Sequence, residues 1–194
     1  MSMFNRVLAV TNRTLCAGDF LHQIEQIAAA QPAGLILREK DLPESDYQAL
    51  AARVLDICAA TNTPCMLHSF AGVAHTLRCP RLHVPLAKLQ AHPEWAQQFD
   101  VIGVSIHSAS EAVCAQQLGA SYVTAGHVFL TDCKKGVPAR GLTFLCEVCQ
   151  AVDLPVYAIG GITPQNMPDC LAAGAAGVAV MSGVMNRLAD WCNQ

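Results

Sequence analysis

Short apolar runs alternate along this chain with stretches whose apolar residues recur at helical spacing. Val7-Leu-Ala-Val10 is apolar at every position, as a strand buried on both faces must be. Residues 19–30 follow, with Phe20, Ile24 and Ile27 on one helical face. The alternation then repeats. Strands are expected at 34–37, 64–67, 81–84, 101–105, 122–124, 156–159 and 177–180. Between them the spacing predicts a helix over 47–61 that turns Leu50, Val54, Leu55 and Cys58 inward, and a short one over 72–77. Further helices are expected from near Ser110 to just before Gly119, over 142–152, and from Thr163-Pro164, where a cap precedes a proline at the first helical position.

Eight strands, each doubly buried and most followed by a helical stretch, predict an α/β protein built as a (β/α)8 TIM barrel, with residues 1–194 forming one domain. An open doubly wound sheet is the alternative. At 194 residues the chain is short for a barrel, so helices and loops must be brief.

Composition narrows the function classes. Hydrophobic residues make up 53% and charged residues 14%, yet no apolar run reaches the roughly 18 residues of a membrane span. The first residues lack the pattern of a secretory signal, and a cytoplasmic location is expected. A net charge of −3, with acids and bases scattered, gives no basic stripe for nucleic acid. The ten cysteines sit singly in apolar segments. Cys146 and Cys149 form a CxxC inside a helical pattern, with no second pair at zinc-site spacing, so they read as reduced packing residues. Excess apolar surface on the outer helices leaves a homo-oligomer open.

Barrel enzymes keep their chemistry at the C-terminal ends of the strands. Those positions here hold Arg38, Glu39, Lys40, His68, Ser69, Ser105, His107, His127, Thr131, Lys134, Gly160, Gly161, Met181, Ser182 and Gly183, a far more polar set than the strands themselves. Gly160-Gly161 after the seventh strand and Met181-Ser182-Gly183 after the eighth suit a phosphate held by backbone N–H groups. The plainer alternative is a tight turn. Arg38, Lys40, Lys134 and Lys135 suit a second anionic group. His127, directly after the sixth strand, is the neutral-range acid–base candidate. His68 and His107 at other strand ends rank below it, and His83 reads as structural. Cys133 has no evident partner base.

The stretches LREKDL (37–42), IGVSIHSASEA (102–112), AGHVFLTDCKKGVPARGL (125–142), PVYAIGGITPQN (155–166) and GVAVMSG (177–183) resemble, in one register, the thiamin phosphate synthase superfamily. The resemblance implies a (β/α)8 barrel and two branches. A synthase joins a pyrimidine diphosphate to a thiazole phosphate using magnesium. A TenI-like thiazole tautomerase aromatises a thiazole carboxylate phosphate. Synthases carry Asn-Asp after strand three, where this chain has His68-Ser69, and an acid after strand four, where it has Lys88. The synthase loop GPVFPTxTK has a proline where His127 stands, as in tautomerases, and a threonine where Cys133 stands. Without the two carboxylates, a hard cation loses the oxygen ligands it needs.

The resemblance therefore implies a thiazole tautomerase, acting by a His127-mediated 1,3-proton shift on the dihydrothiazole ylidene carboxylate phosphate, with no metal and no other cofactor. Ring C2 loses a proton and the exocyclic carbon gains one. Arg38, Lys40 or Lys134 would meet the carboxylate, while Ser105, Thr131, Gly161, Met181, Ser182 and Gly183 complete the expected substrate contacts. The rivals are a synthase with a rearranged metal site, a non-catalytic phosphate-ligand sensor on the same fold, and an enzyme for another small phosphorylated heterocycle.

Overall fold

The computed structural model describes residues 3–131 and 136–192. Eight strands close into a barrel in chain order: β1 (Val7–Val10), β2 (Gly34–Leu37), β3 (Cys65–His68), β4 (Arg81–Pro85), β5 (Val101–Ile106), β6 (Tyr122–Gly126), β7 (Val156–Ile159) and β8 (Gly177–Val180). The parallel pairings are direct: Ala9 sits beside Leu35, Ile36 beside Met66, Ser105 beside Thr124, and Ala125 beside Ala158. The (β/α)8 fold expected from the sequence is thus the one formed. The open sheet is excluded by closure.

The chain divides into two compact units, residues 1–82 with 180–194 and residues 83–179. In the first, β1, β2 and β3 are buried at every position, which explains why β1 and β2 are apolar throughout and β3 is apolar up to His68. Helix α1 (Phe20–Ala29) buries Ile24, Ile27 and Ala28, and Asp19 caps it by accepting the His22 N–H at 2.8 Å. Helix α2 (Glu44–Ala60) begins three residues before the expected 47, because Glu44 and Asp46 favour its positive N-terminal end. It buries Tyr47, Ala51, Val54 and Cys58. Leu50 and Leu55, expected inward, are only half-buried. Helix α3 (Ala71–Thr76) follows β3.

In the second unit, α4 (Leu86–Ala91) and α5 (Trp95–Gln98) fill a stretch where no helix was expected. Each is too short to show a clear apolar period. Helix α6 (Ala109–Gln117) is capped by Ser108, and α7 (Gly141–Ala151) lies close to its expected span. The helix expected from Thr163-Pro164 instead begins at Met167, as α8 (Met167–Ala172). Thr163 and Asn166 bond each other's backbone first: the Thr163 N–H donates to Asn166 Oδ1 at 2.8 Å and the Asn166 N–H to Thr163 Oγ1 at 3.3 Å. That closed turn delays the helix. After β8, α9 (Ser182–Asn186) and α10 (Ala189–Cys192) return to the first unit.

Candidate active site

In the second unit, β5, β6 and β7 end side by side. His127 follows the last residue of β6 and is 7% exposed. Its surroundings fix it from several sides. The ring Nε2 lies 3.2 Å from the Val137 carbonyl oxygen, and the Arg140 N–H donates to the His127 carbonyl at 3.0 Å. A carbonyl can only accept, so Nε2 carries the proton and the lone pair of the neutral ring sits on Nδ1. On the next residues, the Val128 N–H donates to the Ile159 carbonyl at 2.9 Å and the Phe129 N–H to the Gly160 carbonyl at 3.0 Å.

This docking explains the glycine pair. A Cβ on Gly160, whose φ is +101°, would lie 2.3 Å from His127 Cβ. One on Gly161 would lie 2.4 Å from the Leu130 carbonyl oxygen. The space beside both glycines is taken by the segment that carries His127, so close protein packing accounts for them without an oxyanion. The expectation that they open a phosphate cradle has no independent support here. The Gly161 carbonyl accepts from Asn166 Nδ2 at 2.9 Å.

His107 follows β5 directly. Its ring Nδ1 is 2.9 Å from the Gly126 carbonyl oxygen, the peptide oxygen immediately before His127. Its own N–H donates to Glu111 Oε2 at 2.6 Å, while the Glu111 N–H donates to Ser108 Oγ at 3.1 Å. These two bonds form a capping arrangement that starts α6 and holds His107 at its mouth.

Deeper in the same unit is a polar chain that sequence reasoning passed over. His83, 2% exposed, bonds Tyr122 Oη through Nδ1 at 2.9 Å and Ser105 Oγ through Nε2 at 2.9 Å. Thr124 Oγ1 donates to Ser105 Oγ at 3.2 Å. Ser105, expected as a substrate contact, is half-buried and already engaged with both. Burial pushes the Tyr122 hydroxyl pKa upward, so the phenol stays protonated. A Cβ on Gly103 would overlap the Tyr122 ring, so that glycine makes room for it. Ser105 and Thr124 are register partners on β5 and β6, and His83 joins them only through the fold.

The first unit has its own polar cluster at the ends of β1 and β2. The Glu39 side chain is 1% exposed. It accepts from Thr11 Oγ1 at 2.6 Å, from the Arg13 N–H at 3.1 Å on each oxygen, and from Arg13 Nη1 at 3.4 Å. The guanidinium reaches on to Asp41 at 2.8 and 2.6 Å, which holds the Asp41 carboxyl below its ordinary range. Thr11 Oγ1 also accepts the Arg38 N–H at 2.9 Å. Arg38 is half-buried and Lys40 exposed, on either side of this anchor. His68 is buried, with its N–H donating to Tyr47 Oη at 3.0 Å. Met181 is half-buried, Ser182 exposed at the start of α9, and Gly183 buried against Trp191. Thr131 is half-buried; Asp132, Cys133, Lys134 and Lys135 lie outside the described residues.

The residues present do not fit a carboxylate-held magnesium. His68 and Ser69 occupy the end of β3, Lys88 is an exposed cation on α4, and Glu39 spends both oxygens on Thr11 and Arg13. Among the described residues, no group of three or more His, Cys, Asp and Glu is arranged to hold a metal ion. Hard cations take several oxygen ligands, and the described residues offer no such set.

The fold is that of a (β/α)8 barrel protein, with two imidazoles, His107 and His127, directly after β5 and β6. The family model described as thiamine monophosphate synthase, TMP-TENI, matches residues 7–184, and the chain belongs to that family. Two curated relatives are both named thiamine-phosphate synthase. One, from Coprothermobacter proteolyticus, is 32% identical over 94% of this chain and 88% of its own length. The other, from Roseiflexus castenholzii, is 35% identical over 92% of this chain and 80% of its own. A solved thiamine phosphate pyrophosphorylase from Pyrococcus furiosus shares the fold, with a TM-score of 0.80 at 22% identity, covering 97% of this chain and 91% of that one. The synthase names carry over to the family, and no relative among these is named a tautomerase.

Proposed function

We propose that this protein is an enzyme of thiamin biosynthesis, acting as one (β/α)8 domain, and that its reaction is the tautomerisation of the dihydrothiazole ylidene carboxylate phosphate to the aromatic thiazole carboxylate phosphate. The observation that carries this reading is His127. It is a nearly buried imidazole at the end of β6, with Nε2–H committed to a carbonyl and Nδ1 left as base. The C2–H bond breaks and its electron pair enters the ring. The pair of the exocyclic double bond takes up the incoming proton, and the ring becomes aromatic. No oxidant or reductant is consumed. Arg38, Lys40 and Lys134 are the proposed carboxylate partners, and Ser105, Thr131, Gly161, Met181, Ser182 and Gly183 the remaining substrate contacts. They enter the proposal on strand-end position alone.

A second reading, thiamine-phosphate synthase, is favoured by the names of the relatives, which at 31–35% identity outweigh any single motif. The donor set argues the other way, because synthase chemistry as the family resemblance describes it calls for carboxylates this chain lacks. The deciding experiment follows aromatisation by ultraviolet absorbance in EDTA, with wild type and His127→Ala. Fast conversion by wild type alone, with His127→Ala slower by about 10²–10⁴-fold, is the expected result. Coupling of the pyrimidine diphosphate with thiazole phosphate in Mg²⁺, without tautomerisation, establishes the synthase instead. Ligand binding with neither reaction leaves the sensor.

A further inference from the structure

The geometry points to His107 as a second acid–base group of the same reaction, an inference that rests on the tautomerase reading. A proton must leave ring C2 and a proton must arrive at the exocyclic carbon. These carbons are separated by ring atoms, so a single imidazole held on several sides would have to serve both. His127 is held in that way by Val137, Arg140 and the packing against Gly160.

His107 answers the need. Its Nδ1 sits 2.9 Å from the carbonyl oxygen of Gly126, the residue peptide-bonded to His127. Since that oxygen only accepts, Nδ1 carries a proton and the neutral ring keeps its lone pair on Nε2. Among the described residues nothing bonds Nε2, and the side chain is exposed where His127 is buried. The two rings therefore hold opposite tautomers: His127 offers Nδ1 and His107 offers Nε2. Neither tautomer depends on a titration, because a backbone carbonyl sets each. The Glu111 carboxylate on the His107 N–H, together with the Ser108 cap, fixes the backbone from which the second ring projects.

In the proposed cycle one imidazole takes the C2 proton as the other, in its protonated form, gives a proton to the exocyclic carbon. Exchange with water restores both. Proton count and electron count balance within the pair and the substrate.

The test uses the full chain, the substrate deuterated at C2, and His107→Asn. Asparagine keeps an N–H for the Gly126 carbonyl but takes up no proton at neutral pH. Expected are a kcat lower by about 10²-fold, a KM within twofold of wild type, unchanged binding of the aromatic product, and loss of one limb of the pH–rate profile. In wild type, product formed in ordinary water should carry no C2-derived deuterium at its exocyclic carbon, a readout that needs no variant to fold. Turnover of His107→Asn within threefold of wild type, or deuterium carried across to the exocyclic carbon, overturns the inference while leaving His127 and the tautomerase reading in place. A wild type that does not tautomerise removes both.

Discussion

Replacing Gly160 by alanine separates two accounts of the glycine pair. If the glycine serves a bound phosphate, the substitution should weaken phosphate-ligand binding and leave the unliganded fold nearly intact. The structure demands something else. The backbone has φ +101°, a region that costs an L side chain about 1–2 kcal/mol. The new methyl would also lie 2.3 Å from His127 Cβ and 2.8 Å from His127 Cα. Relieving such an overlap against backbone costs about 1–3 kcal/mol. The total, about 2–5 kcal/mol, corresponds to a fall in Tm of roughly 5–15 °C for a chain of this size. Gly141→Ala is the matched control, because it has φ +79° with nothing within 4 Å of the added carbon. It should lose only the backbone part, about 1–2 kcal/mol. Thermal denaturation by circular dichroism without ligand reads both, and kcat of the proposed tautomerisation reads the displacement of His127. Equal losses in the two variants would refute the packing argument.

Two further outcomes follow from the buried polar groups. Glu39→Ala strips the acceptor from Thr11 Oγ1 and two Arg13 donors and should cost about 2–4 kcal/mol in urea denaturation, whereas an effect below about 0.5 kcal/mol would show that the cluster relaxes freely. Burial raises the Tyr47 phenol above its ordinary range, so the unfolded chain loses that proton near pH 10 while the folded chain keeps it. Stability supplied by the neutral phenol is therefore complete below pH 10 and declines above it, by up to about 1.4 kcal/mol per pH unit. Tyr47→Phe should be less stable at neutral pH, having lost the bonds to Leu37 and His68, yet show a shallower alkaline decline; an unchanged slope in chemical denaturation at pH 10–11.5 would contradict the buried-phenol account.

The strands were legible from local chemistry. A strand buried on both faces must be apolar at every position, so residues 7–10, 34–37 and 177–180 announce themselves without reference to any partner. These runs, with five more strand-length segments and intervening helical spacing, left few architectures, and the strand-end rule then pointed at His127 before any contact was known. Short helices were not legible, because α4 and α5 span too few turns for an apolar period to emerge. The start of α8 was misplaced because Thr163 and Asn166 pair with each other, a choice that depends on how the chain leaves β7.

What the tertiary structure alone decided is who occupies each space and which atom is left to react. Gly160 and Gly161 look the same in sequence whether or not a neighbouring loop packs on them; only the docking of residues 127–130 shows what a Cβ at either position would meet. The sequence offered His83, Ser105 and Tyr122 as separate residues from three strands, and the side-by-side order of β4, β5 and β6, not local propensity, joined them into one hydrogen-bonded chain. The same holds for the tautomers of His107 and His127. A sequence names an imidazole, but its reactive nitrogen is set by the carbonyl across from it, and those carbonyls arrive from residues 19 and 10 positions away. Local periodicity is encoded in neighbours along the chain, whereas the chemistry of a site depends on groups that only folding brings within a hydrogen bond.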